Sequence, residues 1–278
     1  MEMHWSLFEK SVFNYLEKNV AGEDLYFKHS GSSDSTKGDI EVFYKKIHRF
    51  NIECKKDKSQ SSQFVLHINK DKKIFSFSKK NKSSSLKAEA IVEHMNNNFN
   101  YYTTLNKSMK LNNKLICDKD ILYKFVIDNL ITKGSRFIAT ARNLKEHNNI
   151  KNLIFLPIWD LENYFDIVGT YRTKRSGSND PTKENLISFP YETIEIGQSK
   201  KKYFVYDKNS EISKIIGENF FLAKVDPSSG LRRVRFRGKT QNHNVIFSLY
   251  LKNISKNNNT DNYIKKLISQ EINISRNK

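Results

Sequence analysis

The chain has 278 residues, 37% hydrophobic and 12% aromatic, enough to bury one substantial core or two modest ones, so disorder is excluded as a description of the whole. Against 48 Lys and Arg stand 30 Asp and Glu, a net charge of +18 with a pI near 9.6, which points to a polyanionic partner, nucleic acid before an anionic membrane. Lys and Asn are abundant throughout, so part of the excess is compositional.

No apolar run approaches the roughly 20 residues that span a bilayer. Met1 to Trp5 show no basic region followed by an apolar one, and no strongly basic amphipathic helix is evident. The expectation is a soluble, cytoplasmic protein with no membrane partner. The two cysteines, Cys54 and Cys117, cannot build a disulfide framework and lack zinc-ligand spacing, so both read as reduced, buried thiols.

Trp5, Phe8, Val12, Tyr15 and Leu16 recur at helical spacing, predicting a helix over 4–19 that leaves Glu9, Lys10 and Glu17 off its apolar stripe. A strand over 25–30, a turn-rich loop over 31–38 and strands over 39–45 and 50–56 follow. Residues 59–62 read as a polar loop, 63–68 as an apolar run whose state periodicity leaves open, and 79–85 as a basic linker. Leu86, Ala90, Val92, Met95 and Phe99 predict a helix over 86–101. Another is expected over 119–132, capped by Asp118 and stopped at Gly134. The apolar runs 137–140 and 153–156 suit strands in a helix-covered sheet.

After Phe165 the texture changes. Residues 171–181 form a basic, Gly/Ser-containing loop, β-prone runs fall at 203–206, 219–225, 231–237 and 244–251, and 254–278 is a polar tail with one short helix. No internal repeat is present. The expected architecture is α/β: a mixed central sheet flanked by helices in 1–165, and a β-rich region in 166–278 integrated with it.

The chemistry concentrates at Asp39 and Asn51-Ile52-Glu53-Cys54-Lys55, with Glu53 14 positions after Asp39, a separation that two paired strands with a tight connection span. Side chains alternate across a strand, so Glu53 and Lys55 share one face while Ile52 and Cys54 point to the apolar side. Phosphodiester hydrolysis needs a hard cation, and Mg²⁺ takes one or two carboxylates with waters completing its shell. Asp39 and Glu53 supply those carboxylates, the backbone carbonyl of Cys54 is a further candidate ligand, and Lys55 is assigned to orienting the attacking water. The arrangement has the form of the PD-(D/E)XK nuclease motif. In a Lys-rich chain the same pattern also arises by chance on two solvated strands. The loop before Asp39 and the apolar flanks of both strands favour the functional reading. Glu9, on the upstream helix, is a candidate second metal-linked carboxylate, although by helical pattern alone it is a solvated residue. The seven histidines lack ligand spacing, no phosphate-binding glycine loop exists, and Ser178 has no nucleophile-elbow context.

For DNA, Tyr171, Arg172, Lys174, Arg175, Ser176 and Ser178 combine ring, cations and hydroxyls on a flexible backbone suited to phosphates and a guanine edge; a solvated basic loop is the alternative. Arg233, Arg235 and Arg237 would line one face of a strand opposite Val234 and Phe236, with Arg232 beside them, and the choice of arginine in so Lys-rich a chain favours bidentate recognition.

Five blocks then occur in one order: Ser33-Asp34-Ser35-Thr36 before Asp39-Ile40; Ile52-Glu53-x-Lys55; Ser59-Gln60 with Gln63-Phe64-Val65-Leu66; Tyr171-Arg172-x-Lys174-x-Ser176-Gly177-Ser178; and Asn244-Val245-Ile246-Phe247-Ser248 with Leu251-Lys252-Asn253. Together they resemble the HhaI restriction endonuclease family, with residues 179–240 outside the resemblance. The resemblance implies a type II restriction enzyme that cuts double-stranded DNA at GCGC with Mg²⁺, acts as a monomer or homodimer, and works beside a DNA methyltransferase of the same system. It carries Asp39, Glu53 and Lys55 over as catalytic, makes Gln63 an active-site helper, favours Glu9, and places Ser35, Thr36, Lys37 and Gln60 at the DNA. The alternative expectation is a sequence-tolerant, basic nucleic-acid-binding protein without cleavage activity; an RNA nuclease is a third.

Overall fold

The computed structural model describes residues 4–30, 38–78, 81, 86–105, 113–141, 153–175, 178–189, 197–199, 202–207, 211–216, 219–225, 230–237, 241–253 and 261–276. In chain order the elements are α1 (His4–Asn19), β1 (Leu25–His29), β2 (Ile40–Tyr44), β3 (Ile47–Cys54), β4 (Ser59–Asn69), β5 (Ile74–Phe77), α2 (Leu86–Asn97), α3 (Phe99–Thr104), β6 (Asn113–Lys114), α4 (Lys119–Thr132), β7 (Ser135–Ala141) and β8 (Leu153–Pro157). A 3₁₀ turn at Ile158–Asp160 leads to α5 (Leu161–Tyr164), β9 (Phe165–Arg175), β10 (Ser178–Asn179), α6 (Lys183–Leu186), β11 (Gly197–Ser199), β12 (Lys202–Tyr206), α7 (Ile212–Ile215), β13 (Phe220–Lys224), β14 (Leu231–Arg237), β15 (Gln241–Leu251) and α8 (Asp261–Arg276).

The chain divides into two compact units, Glu2–Arg172 with Asn244–Lys278, and Thr173–His243. This differs from the expected boundary between 165 and 166, because β15 and α8 return to the first unit. In that unit one mixed sheet has the order β1-β2-β3-β7-β8, with β3 and β7 parallel and the other pairs antiparallel. A second sheet has the order β5-β4-β15-β9-β6.

Period-2 alternation sorts the first sheet's residues. Ile40, Val42, Phe50, Ile52, Cys54, Phe137, Ala139 and Phe155 join Phe8, Val12 and Leu16 of α1 and Ile264, Ile268 and Ile272 of α8 in one apolar cluster. Ile138, Ile154 and Leu156 turn the other way, into a larger cluster with α2, α4 and the second sheet. Residues 261–276 are therefore a packed helix rather than part of a polar tail. Its isoleucines at i, i+4 and i+8 give α8 a buried stripe of 4% exposure or less, and Tyr15 Oη donates a hydrogen bond to Asp261 in its first turn.

Other expectations change for local reasons. Residues 59–62 belong to β4, since a neighbouring strand accepts a Ser- and Gln-rich segment when its backbone groups are paired. The helix expected over 86–101 is two, broken at Asn98, whose Nδ2 donates to His94 O at 2.9 Å and competes with the helical ladder. Residues 171–175 are the end of β9 rather than a loop. The α4 limits agree with the sequence: Asp118 accepts from Asp120 N, and Gly134 carries the positive φ, 73°, that ends the helix.

The unit Thr173–His243 holds β10-β14-β12-β11, with β13 also paired to β14, around a core of Leu186, Phe189, Tyr203, Val205, Ile216, Phe220 and Val234.

Candidate active site

The site is built on the β2–β3 hairpin. Lys45 and Lys46, at φ 50° and 64°, make the tight left-handed turn that joins two right-twisted strands. Ile40 pairs with Ile52, so one step further Asp39 falls opposite Glu53. Asp39 is held there: Ser30 N donates to its carbonyl at 3.1 Å, and its Oδ2 accepts from Cys54 N at 2.7 Å. Lys55 N donates to Ala139 O at 3.0 Å, which continues the β3–β7 pairing beyond the strand's end.

Three charges meet as the spacing predicted. Lys55 Nζ stands 2.7 Å from Glu53 Oε2 and 3.9 Å from Asp39 Oδ2, so one ammonium spans both carboxylates. Glu53 is fully buried. Burial opposes its ionised form, but Lys55 and Lys133 outweigh that cost and hold its pKa below the usual carboxylate range. Asp39 moves the other way, to about 7, because burial and the Glu53 charge exceed the help from Lys55 and the Cys54 N–H. Lys55 is raised, since the two carboxylates overcome its own desolvation. The Cys54 thiol is buried and pushed well above its ordinary pKa, by burial first and then by the Asp39 charge.

Glu9 is also buried, at 6% exposure, and close enough for its charge to bear on Lys55, Glu53 and Lys56. Burial raises its pKa, its Oε2 is 3.6 Å from His29 Nε2, and that oxygen makes no hydrogen bond among the described residues. It is not the solvated residue that helical pattern alone suggests.

Among the described residues no three His, Cys, Asp or Glu side chains form a ready-made ligand cluster. The donor set nevertheless suits a hard divalent ion, which takes one or two carboxylates and completes its shell with water. Asp39 and Glu53 face each other with a cation already between them, and Glu9 adds a buried carboxylate oxygen lacking a hydrogen bond.

Gln63 and Gln60 lie on β4, in the second sheet, both exposed, and Gln63 makes no side-chain hydrogen bond among the described residues. Tyr171 is a core residue at 3% exposure, its ring 5.7 Å from Phe75 and 5.8 Å from Tyr102, so it does not face a ligand. Its aromatic ring fills a sheet interior that a loop reading could not anticipate. Arg172 follows it on β9, partly buried, with Nε making no hydrogen bond among the described residues. Ser35, Thr36, Lys37 and Ser176 lie outside the described residues; Lys174, Arg175, Ser178 and Arg237 are placed by their strand backbones alone.

In the unit Thr173–His243, β14 alternates as expected: Val234 is fully buried and Phe236 packs on the core, while Arg233 and Arg235 face away. Both guanidiniums engage Asp180. Arg233 does so bidentately, at 2.9 and 2.6 Å, and Arg235 Nη1 at 3.2 Å.

Sequence reasoning missed Lys133, whose Nζ donates to Glu53 Oε1 at 2.9 Å. A lysine before a helix-ending glycine reads as a partner of the helix dipole, and nothing local ties it to a residue 80 positions earlier.

No protein-family model matches the chain, and no curated protein does. The mixed sheet with its flanking helices is a restriction endonuclease-like fold. A solved structure of HhaI endonuclease in complex with DNA matches 98% of this chain and 100% of its own, with a TM-score of 0.72 and 26% sequence identity. Among the described residues no helix is long and apolar enough to cross a membrane.

Proposed function

We propose that this protein is a metal-dependent DNA endonuclease of the PD-(D/E)XK type, a type II restriction enzyme with Asp39, Glu53 and Lys55 as its catalytic core. The observation that carries the reading is the convergence of one buried and one half-buried carboxylate with one ammonium at the β2–β3 hairpin, within a fold shared over its whole length with a restriction endonuclease solved on DNA. Asp39 and Glu53 would hold Mg²⁺, with Glu9 and the Cys54 carbonyl as further ligands. When bound, such an ion neutralises phosphate charge and lowers the pKa of its water. Lys55, largely withdrawn from solvent against both carboxylates, would supply a fixed positive charge to the reacting phosphate. The Cys54 N–H holds Asp39 Oδ2, the oxygen that also meets Lys55, and so orients the carboxylate. Gln63 is retained as a helper that DNA would bring into play.

The substrate we infer is double-stranded DNA at a short GC-containing site, GCGC by the sequence resemblance, with a methyltransferase guarding the host's own copies. The +18 charge supplies the sequence-independent attraction. Ser35, Thr36, Lys37, Gln60, Arg172, Lys174, Arg175, Ser176, Ser178, Arg233, Arg235 and Arg237 are the proposed DNA contacts.

The test is supercoiled plasmid incubated with Mg²⁺ or with EDTA, wild type against Asp39→Ala. Discrete, Mg²⁺-dependent fragments are expected from the wild type, and at least ~10³-fold slower cutting from the variant, the scale lost when electrostatic stabilisation of a transition state is removed. Cutting in EDTA, or by the variant at the wild-type rate, would end the mechanism. Binding without cutting would leave a basic nucleic-acid-binding protein.

A further inference from the structure

Lys133 reaches the site through the backbone rather than through the D…ExK pattern. It caps α4 with its N–H on Asn129 O and Leu130 O, at 3.3 and 3.2 Å. Its carbonyl accepts from Asn51 Nδ2 at 2.6 Å, and the next carbonyl, of Gly134, accepts from Asn51 N at 2.9 Å. Asn51 is itself set by His48 Nε2 at 2.8 Å and by Gly38, which packs against its side chain. The main chain after Lys133 is thus pinned to the residue two positions before Glu53, and before it to the end of α4. From there the ammonium meets Glu53 Oε1, while Lys55 holds Oε2.

A single buried carboxylate therefore carries an ammonium on each oxygen. Lys55 is shared with Asp39, so its charge serves two acids, whereas among the described residues Lys133 contacts the carboxylate of Glu53 alone. A divalent ion taking Glu53 as ligand must either displace that ammonium or sit a few ångströms from it, and at such separations in a buried site repulsion between a dication and a cation is large.

We propose that Lys133 is an internal competitor for the divalent ion: it occupies Glu53 in the metal-free protein and keeps the site's affinity for the ion low until DNA arrives. The proposal rests on the reading that Asp39 and Glu53 hold a divalent ion, and it assigns regulation of that site to a positioning residue outside the motif. The phosphates of bound DNA offer the displaced ammonium another anion, so metal and substrate load together.

The experiment measures Mn²⁺ binding to the whole protein without DNA, by the electron paramagnetic resonance signal of free Mn²⁺. Lys133→Met should bind Mn²⁺ at least tenfold tighter than wild type, Lys133→Arg should match wild type, and Lys124→Met, which removes a charge from the exposed face of the same helix, should change nothing. Lys133→Gln reads the same effect should the Met variant melt early. Unchanged or weaker binding by both neutral variants overturns the proposal, as does equal tightening by Lys124→Met or an absence of Mn²⁺ binding in all forms. Plasmid cleavage separates the two readings: tighter Mn²⁺ binding in variants of a protein that cuts nothing sinks the nuclease and keeps the competitor, while a wild type that cuts, with no tightening, does the reverse.

Discussion

Two clusters of acid and base in this molecule use the same groups to opposite ends. Around the β2–β3 hairpin Asp39, Lys55 and Lys133 gather, partly withdrawn from water, about Glu53 at 0% exposure. On β14, Arg233 and Arg235 grip Asp180, whose side chain keeps 34% of its surface in solvent. Hydrogen bonding to Arg233 lowers the pKa of Asp180, so the one anion there is answered by two cations. In the hairpin Asp39 is left with a raised pKa because burial and Glu53 outweigh Lys55. The β14 cluster meets its one anion with cations in excess, whereas the buried one holds an anion that its own fold does not fully compensate, and that imbalance marks where a further cation would be stabilised.

The largest expected consequence is in stability against pH. A group whose folded pKa is raised stabilises the fold fully below its unfolded pKa and loses that contribution as pH climbs through the folded value. For Asp39, moving from 3.8 to about 7, the metal-free protein should lose on the order of 3 kcal/mol between pH 4 and 8. Glu53, shifted downward from 4.5, works with the opposite sign and overlaps only the acid edge of that window, so the decline due to Asp39 is read above about pH 5.5. Urea unfolding in EDTA across this range should show the decline, and Asp39→Asn should flatten it. An unaltered slope in Asp39→Asn would remove the contrast between the two clusters.

A smaller effect tests how tightly the buried cluster is held. A Cβ added at Gly38 would lie 2.4 Å from Asn51 Cβ, whereas one at Gly22 would meet nothing within 4 Å. Gly38→Ala should therefore cost roughly 1–3 kcal/mol through forced displacement of Asn51 or of the neighbouring Asp39, and slow any cleavage with it. Gly22→Ala should be neutral or slightly stabilising. Equal stability in the two variants would show that the hairpin tolerates movement where rigidity is argued.

How much of this was legible depended on whether the signal was local. Asp39 opposite Glu53 followed from strand period and a tight turn, and the α4 caps followed from Asp118 and Gly134. Lys133 was invisible because its approach to Glu53 requires the parallel β3–β7 pairing, a contact between segments 80 residues apart that no periodicity encodes. The α8 stripe was hidden by its polar remainder: the Asn, Lys and Ser around its three buried isoleucines lower the mean hydropathy although the spacing is helical. Tyr171 failed differently, since a strand that ends in cations looks like a basic loop until its sheet partners are known.

The smallest effect belongs to the wet cluster and completes the contrast. Asp180→Ala removes three guanidinium contacts at once, yet each partner keeps access to water, so neither arginine becomes a buried, unpaired charge. The core beneath β14 is apolar, with Val234 and Phe220 at 4% exposure or less, and does not depend on the pair above it. Ion pairs whose partners keep contact with water contribute about 0–1 kcal/mol and weaken with salt. Urea unfolding of Asp180→Ala should thus fall within about 1 kcal/mol of wild type, less at high ionic strength. A loss above roughly 2 kcal/mol would mean that these arginines are held as a buried charge is held, and the distinction between the two clusters would have to be redrawn.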